Sequence, residues 1–230
     1  MYSNQYLIPE WRTAPLKAIR MGMGEGLVDQ GAKHSDLVVL TADLAGSTRV
    51  REFAELYPER FFDVGVAEQN MVGVVAGLST MGFVPFAVSY ATFSPGRSWE
   101  QIRISVSLSK ANVKIIGSHA GVSSGQNGPS HQGTEDIAIM RTLPNMTVLV
   151  PADANQAAAM VEAAYLHTGP VYIRTTRPDT PNFTKPSLYK IGSAQVYRGE
   201  RISQFARAGS KCGRLSWWRM NSPAWELSVR

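Results

Sequence analysis

Short, continuous apolar runs alternate along this chain with segments whose apolar residues fall three and four apart. Leu16, Ile19, Met23 and Leu27 share that spacing and predict a helix over about Ala14 to Gln30, with Gly31 as its stop. Leu37-Val-Val-Leu-Thr41 is a run of the kind that forms a strand buried on both faces. A polar loop, Ala42 to Thr48, and a short helix, Val50 to Tyr57, come next. The same reading predicts strand 60–64, helix 68–81, strand 84–89, helix 96–108 and strand 113–117. After a Gly/Ser-rich loop, 121–133, it predicts helix 135–141, strand 147–150, helix 155–166 and strand 171–175. Such alternation implies an α/β fold: a doubly wound, mostly parallel sheet with helices on both faces.

The pattern fails from about Tyr189, and Arg198 to Arg230 shows no sustained period. We divide the chain into one domain over 10–186 and a truncated or altered segment of a second over 187–230, whose tail a shifted reading frame would explain. Gln69 to Gly96 is 28 residues without a charge, long enough for a bilayer span. Gly73, Gly77, Gly82 and Pro85 interrupt it, so a small-residue helix, a turn and a buried strand are the better reading.

Composition changes the picture in two places. The net charge of +5 invites a nucleic-acid role, yet residues 1–197 carry 16 basic and 16 acidic side chains, while 198–230 carry seven and two. The body is neutral and has no electrostatic reason to seek phosphate backbones or anionic lipid. The single cysteine, Cys212, excludes a disulfide framework and a thiolate metal cluster. With no basic, apolar leader in MYSNQYLIPEWR, the expected location is cytoplasmic.

In parallel sheets ligands sit at the carboxyl ends of the strands. The polar residues that gather there are Asp43 and Ser47, Glu68, Tyr90 and Phe93, His119, and Arg174 and Arg177. Glu68 stands between a strand and an uncharged helix: desolvation there raises a carboxyl pKa and suits it to proton sharing, whereas the bland alternative is an acid stabilised by a helix dipole. Tyr90 and Phe93 read either as a stacking platform for a flat ring or as core. His119 and His131, twelve residues apart around a glycine-rich turn, read as binders of hydroxyls, as proton shuttles or as loop structure. Arg174 and Arg177 fit a phosphate clamp and an ion pair equally well. Zinc lacks ligands, and the chain contains no Walker loop, no GxGxxG after a strand and no GxSxG elbow.

Taken together, Ala42-Asp-Leu-Ala-Gly-Ser-Thr48, Val64-Gly-Val-Ala-Glu-Gln-Asn-Met71, Tyr90-Ala-Thr-Phe-Ser-Pro-Gly-Arg97 and Gly128-Pro-Ser-His-Gln132 closely resemble the pyrimidine-binding domain of transketolase, in particular the C-terminal subunit of the split, two-gene form. The likeness covers roughly residues 10–195. It implies that Glu68 hydrogen-bonds the N1' nitrogen of thiamine diphosphate, favouring the imino tautomer that deprotonates the thiazolium for transfer of a two-carbon ketol unit, as in the pentose phosphate pathway. By position it places Phe93 on the aminopyrimidine with Tyr90 beside it, and Asp43 near the thiazolium. It sets His119 and His131 against the sugar, as catalytic groups beside Glu68. Arg20, 23 residues before Asp43, joins Ser47 and Arg177 at the sugar phosphate. Asn127 stands where the family commonly has a hydroxyl-recognising aspartate, which puts donor preference in question.

The resemblance also implies what must come from elsewhere. The Gly-Asp-Gly motif with which the family's other half holds the diphosphate through Mg²⁺ does not occur here. A companion diphosphate-binding subunit is therefore expected, with homo-association of this chain, an α2β2 assembly and no activity alone. Two other readings stay open. One is an enzyme like 1-deoxyxylulose-5-phosphate synthase or a 2-oxo acid dehydrogenase β subunit, against which His119 weighs. The other is a non-catalytic orphan subunit whose basic, tryptophan-rich tail blocks assembly.

Overall fold

The computed structural model describes residues 5–193 together with Gln195 and Tyr197. The expectations placed on 198–230 lie outside the described residues. The first half of the chain forms β1 (Leu16–Ala18), α1 (Ile19–Lys33), β2 (Leu37–Thr41), α2 (Ala45–Thr48), α3 (Arg51–Leu56), β3 (Phe61–Asp63), α4 (Glu68–Thr80) and β4 (Val84–Tyr90). Then come α5 (Trp99–Gln101), a π-helical stretch (Ile102–Leu108), β5 (Lys114–Ser118) and α6 (Asp136–Arg141). The described part closes with β6 (Thr147–Leu149), α7 (Ala154–Leu166), β7 (Val171–Arg174) and β8 (Asp179–Pro181).

Six strands pair in parallel in the order β3-β2-β4-β5-β7-β6. The period of two hidden inside each apolar run decides which layer a side chain joins. Leu37, Val39, Phe86, Val88, Ile116, Val171 and Ile173 point to one core with α1, α3 and α7. Val38, Leu40, Ala87, Ile115 and Tyr172 point to the other, with α4, the π-helical stretch and α6. The doubly wound, mostly parallel architecture is thus present. Because the chain leaves β2 for β3 on one side and for β4 on the other, the sheet reverses its winding at the β2/β4 junction, where such folds open a crevice.

Four local expectations need correction, and the simplest is that the polar loop predicted over Ala42–Thr48 turns helical from Ala45 as α2. The first helix starts at Ile19, not Ala14: Leu16–Ala18 is extended and pairs antiparallel with β8, an element the sequence pattern did not reveal. Pro178 just before that three-residue strand and Pro181 as its last residue mask it. Gly31 does not end α1, which continues to Lys33; its missing side chain instead admits Phe53, whose Cε2 would lie 2.6 Å from a Cβ there. The predicted helix over 96–108 begins as irregular turns, becomes helical only at Trp99, and widens into π geometry at Ile102.

Close packing of α1 on α7 sets the end of α1 that carries Arg20. A Cβ at Gly22 would run into the Ala154 carbonyl, and one at Gly26 would stand 2.9 Å from the Ala158 Cα. At the opposite edge of the sheet, the fully buried Lys114 donates to Asn112 Oδ1 (2.7 Å) and to the carbonyls of His167 (2.6 Å) and Gly169 (2.7 Å). Burial pushes this amine down to about 7.

Candidate active site

The carboxyl ends of β2, β4, β5 and β7 gather the predicted polar residues on one edge. Glu68 is the first residue of α4, buried to 2% exposure, with its Oε2 2.8 Å from Arg97 Nη1. The sequence reading placed this carboxylate between a strand and an uncharged helix and named no partner for it; the structure supplies one, Arg97, from the turn after β4. That turn is tight, since Gly96 N–H donates to Ala91 O at 3.2 Å and a Cβ on Gly96 would strike the Thr92 carbonyl.

A ladder of rings lies beside the carboxylate. Phe93 and Tyr90 are near parallel at 5.8 Å, and Tyr90 stacks on His119 at 3.9 Å. His131 meets Tyr90 at 5.9 Å and Phe93 at 5.2 Å, edge-on. Tyr90 is buried at the end of β4, whereas Phe93 keeps part of its ring open. The fold therefore brings the two histidines of the glycine-rich loop together with the two aromatics.

His119 follows β5 with φ 58°, a left-handed conformation that a non-glycine residue holds only under local constraint. Its Nε2 lies 3.3 Å from Arg20 Nη1, and its Nδ1 lies 3.0 Å from Ser118 Oγ. A guanidinium only donates, so Nε2 accepts and the ring proton sits on Nδ1, facing the serine hydroxyl. Burial, reinforced by Arg20, Arg177 and His131, drives this imidazole down to about 3. An imidazole held this low is neutral near neutrality, and its two ring nitrogens are both engaged, Nε2 by Arg20 and Nδ1 by Ser118.

Arg20, at the start of α1, also donates to the Ser47 carbonyl at 2.7 Å. Burial, followed by repulsion from Arg49 and Arg177, lowers its pKa from the ordinary value. Arg177 donates to Ser124 O at 2.8 Å. With Ser124, Gln126 and Asp179, these two arginines line an open cleft of about 380 Å³. The buried Arg20 Nε and Ser124 Oγ have no protein partner there. Like-charged guanidiniums beside unsatisfied polar atoms are the chemistry that suits an anion, with Asp179 as the opposing charge in the same lining.

The remaining candidates separate clearly. Ser47 turns its hydroxyl to Leu44 O at 3.2 Å, and only its carbonyl contacts Arg20. Asp43 takes φ 59° and is fastened by its own N–H to Asp63 Oδ1 at 2.9 Å, leaving its side chain on the exposed rim. Asn127 ends the 3-10 stretch Val122–Asn127, half-buried in the loop that leads to His131. Arg174 is an ion pair rather than a clamp: its Nε lies 2.9 Å from Oδ2 of the buried Asp136, which also accepts from Tyr172 OH at 2.7 Å. Sequence reasoning gave Arg97 and Ser118 no role. A signal for Arg97 existed in its spacing, four residues beyond Phe93. Among the described residues, no group of three or more His, Cys, Asp or Glu is placed to hold a metal.

The family model for the transketolase pyrimidine binding domain matches residues 17–182. The chain belongs to this family. A Methanocaldococcus jannaschii protein named "Putative transketolase C-terminal section" is 44% identical over 206 residues, covering 84% of this chain and 65% of that protein. The 6-deoxy-6-sulfo-D-fructose transketolase subunit SqwH of Clostridium sp. (strain MSTE9) is 39% identical, covering 75% of this chain and 54% of its own length. Among solved structures, a split gene transketolase described as an inactive beta4 tetramer superposes with TM-score 0.68 at 48% identity, over 75% of this chain and 55% of that one. The chain thus spans between half and two thirds of these relatives. No helix among the described residues is long and apolar enough to cross a membrane.

Proposed function

We propose that this chain is the pyrimidine-binding subunit of a split transketolase, transferring a two-carbon ketol unit between sugar phosphates with thiamine diphosphate. The observation that carries this reading is the buried Glu68 carboxylate joined through Arg97, which pairs with it and lies over the ring, to the half-buried Phe93. The two would hold one flat heterocycle, Phe93 by stacking and Glu68 by sharing a proton with a ring-edge nitrogen, which the carboxyl donates to or accepts from according to where the proton sits. When bound, the cofactor supplies the carbanion chemistry; the protein supplies binding, orientation and protonation control. Glu68 holds or releases the proton at that nitrogen. The neutral His119, with its Arg20 and Ser118 partners, orients sugar oxygens together with His131, which stands edge-on to Tyr90 and Phe93. Arg20 and Arg177 bind the substrate phosphate in the cleft they line.

The diphosphate and its Mg²⁺ belong, in this proposal, to a companion subunit, with active sites shared between chains in a cytoplasmic α2β2 assembly. Support for self-association comes from the β4 relative and from large apolar side chains left open just before and after α4, Val66 (70%) and Met81 (73%), and on the π-helical stretch, Ile104 (46%) and Leu108 (51%). The test is reconstitution with the companion subunit and assay of ketol transfer from xylulose 5-phosphate. Glu68→Ala should lower the rate by about 10²- to 10⁴-fold while leaving assembly intact. Near-normal turnover in that variant refutes the role of Glu68. Pyruvate decarboxylation in place of ketol transfer refutes the reaction.

A further inference from the structure

Arg97 makes two contacts, and both coincide with contacts required of the cofactor ring. Its Nη1 donates to Glu68 Oε2 at 2.8 Å, and its guanidinium carbon stands 5.0 Å from the centre of the Phe93 ring. A guanidinium is flat, donates hydrogen bonds along its edge and stacks on aromatic faces. An aminopyrimidine is likewise flat and stacks on aromatic faces, and its ring nitrogen makes the same donation to Glu68 when it carries the proton the two share. The Glu68 side chain is 1% exposed and the Arg97 side chain 50%. One partner is therefore fixed in the core while the other already reaches solvent.

We propose that Arg97 is a placeholder for the pyrimidine ring: in the cofactor-free chain it positions and charge-compensates Glu68, and the incoming ring displaces it toward solvent. The proposal rests on the function assigned above and adds a step to it. Without a cation, a carboxylate at this depth would have no counter-charge, a costly state for a folded subunit awaiting its partner; when Arg97 leaves, a proton taken up between Glu68 and the ring nitrogen replaces its charge. The arrangement is affordable because the displaced guanidinium returns to water rather than to another buried site. Gly96 and the hydrogen bond from Gln69 Nε2 to Arg97 O (3.3 Å) hold the Arg97 backbone in place, so displacement is confined to the side chain.

The experiment compares the wild type, Arg97→Ala and Arg97→Lys, each assembled with the companion subunit. Thiamine diphosphate with Mg²⁺ is titrated calorimetrically, and association is followed by stopped flow. Arg97→Ala should bind about fivefold more tightly, through a faster on-rate, because no contact has to be broken. Thermal unfolding of its cofactor-free form should fall. Arg97→Lys, which keeps the charge but not the planar fork, should lie between the two. Unchanged or weaker binding by Arg97→Ala overturns the placeholder while leaving the function of Glu68 standing. Failure of the wild-type assembly to bind the cofactor at all overturns both, so the two failures are distinguishable.

Discussion

Replacing His119 with Gln tests whether this imidazole is the neutral group that its surroundings imply. In the folded chain it is buried against Arg20, with Arg177 and His131 nearby, and binds a proton only near pH 3. In the unfolded chain it binds one near the ordinary value of 6.5. The unfolded state thus holds more protons between those limits. Stability is full above about 6.5 and is lost as pH falls toward 3. At pH 5 the difference is about 1.5 logarithmic units, or roughly 2 kcal/mol, whereas at pH 7.5 it is close to zero. Urea unfolding of the wild type and His119→Gln across pH 5–7.5, at fixed protein concentration, isolates this contribution because all other titrating groups are common to both. The wild type should lose about 2 kcal/mol more than the variant over that range. Parallel stability curves would show that His119 takes up a proton in the folded state, and its assignment as a neutral acceptor from Arg20 would fail.

Gly22→Ala should cost at least about 1–3 kcal/mol, because a methyl group there meets the Ala154 backbone and not a flexible side chain. Gly73→Ala, at an α4 position with nothing within 4 Å, is the control and should be neutral or stabilising by up to about 1 kcal/mol; equal losses in chemical denaturation would refute the packing account. Tyr172→Phe removes the hydroxyl that Asp136 accepts in the core and should cost about 1–3 kcal/mol of unfolding free energy without weakening phosphate binding, since Arg174 is committed to Asp136.

Much of the fold was legible because a parallel sheet buries its strands on both faces: Leu37–Thr41 and Val84–Tyr90 are mostly apolar runs buried at every position, and the helices between them carry their own spacing. The elements missed are those whose stability is not local. β8 is three residues long and exists because β1 lies beside it, and the turns over 91–98 are set by backbone closure around Gly96. Residue types at the strand ends marked the candidate site, and the ordered motifs marked its family. Neither could separate Arg174 from Arg177, which stand three residues apart with the same chemistry.

By itself, then, the order of residues determined the alternation of strand and helix, the two-faced burial of the sheet and the edge on which chemistry gathers, because these follow from periodicity along one chain. Pairing was decided only in three dimensions. Asp136 claims Arg174, the cleft keeps Arg177 and Arg20, and Arg97 reaches back to Glu68 across 29 positions of sequence. Charge and hydrogen-bond partners depend on distances of a few ångströms between segments remote in sequence, and those distances are set by how the helices and strands pack.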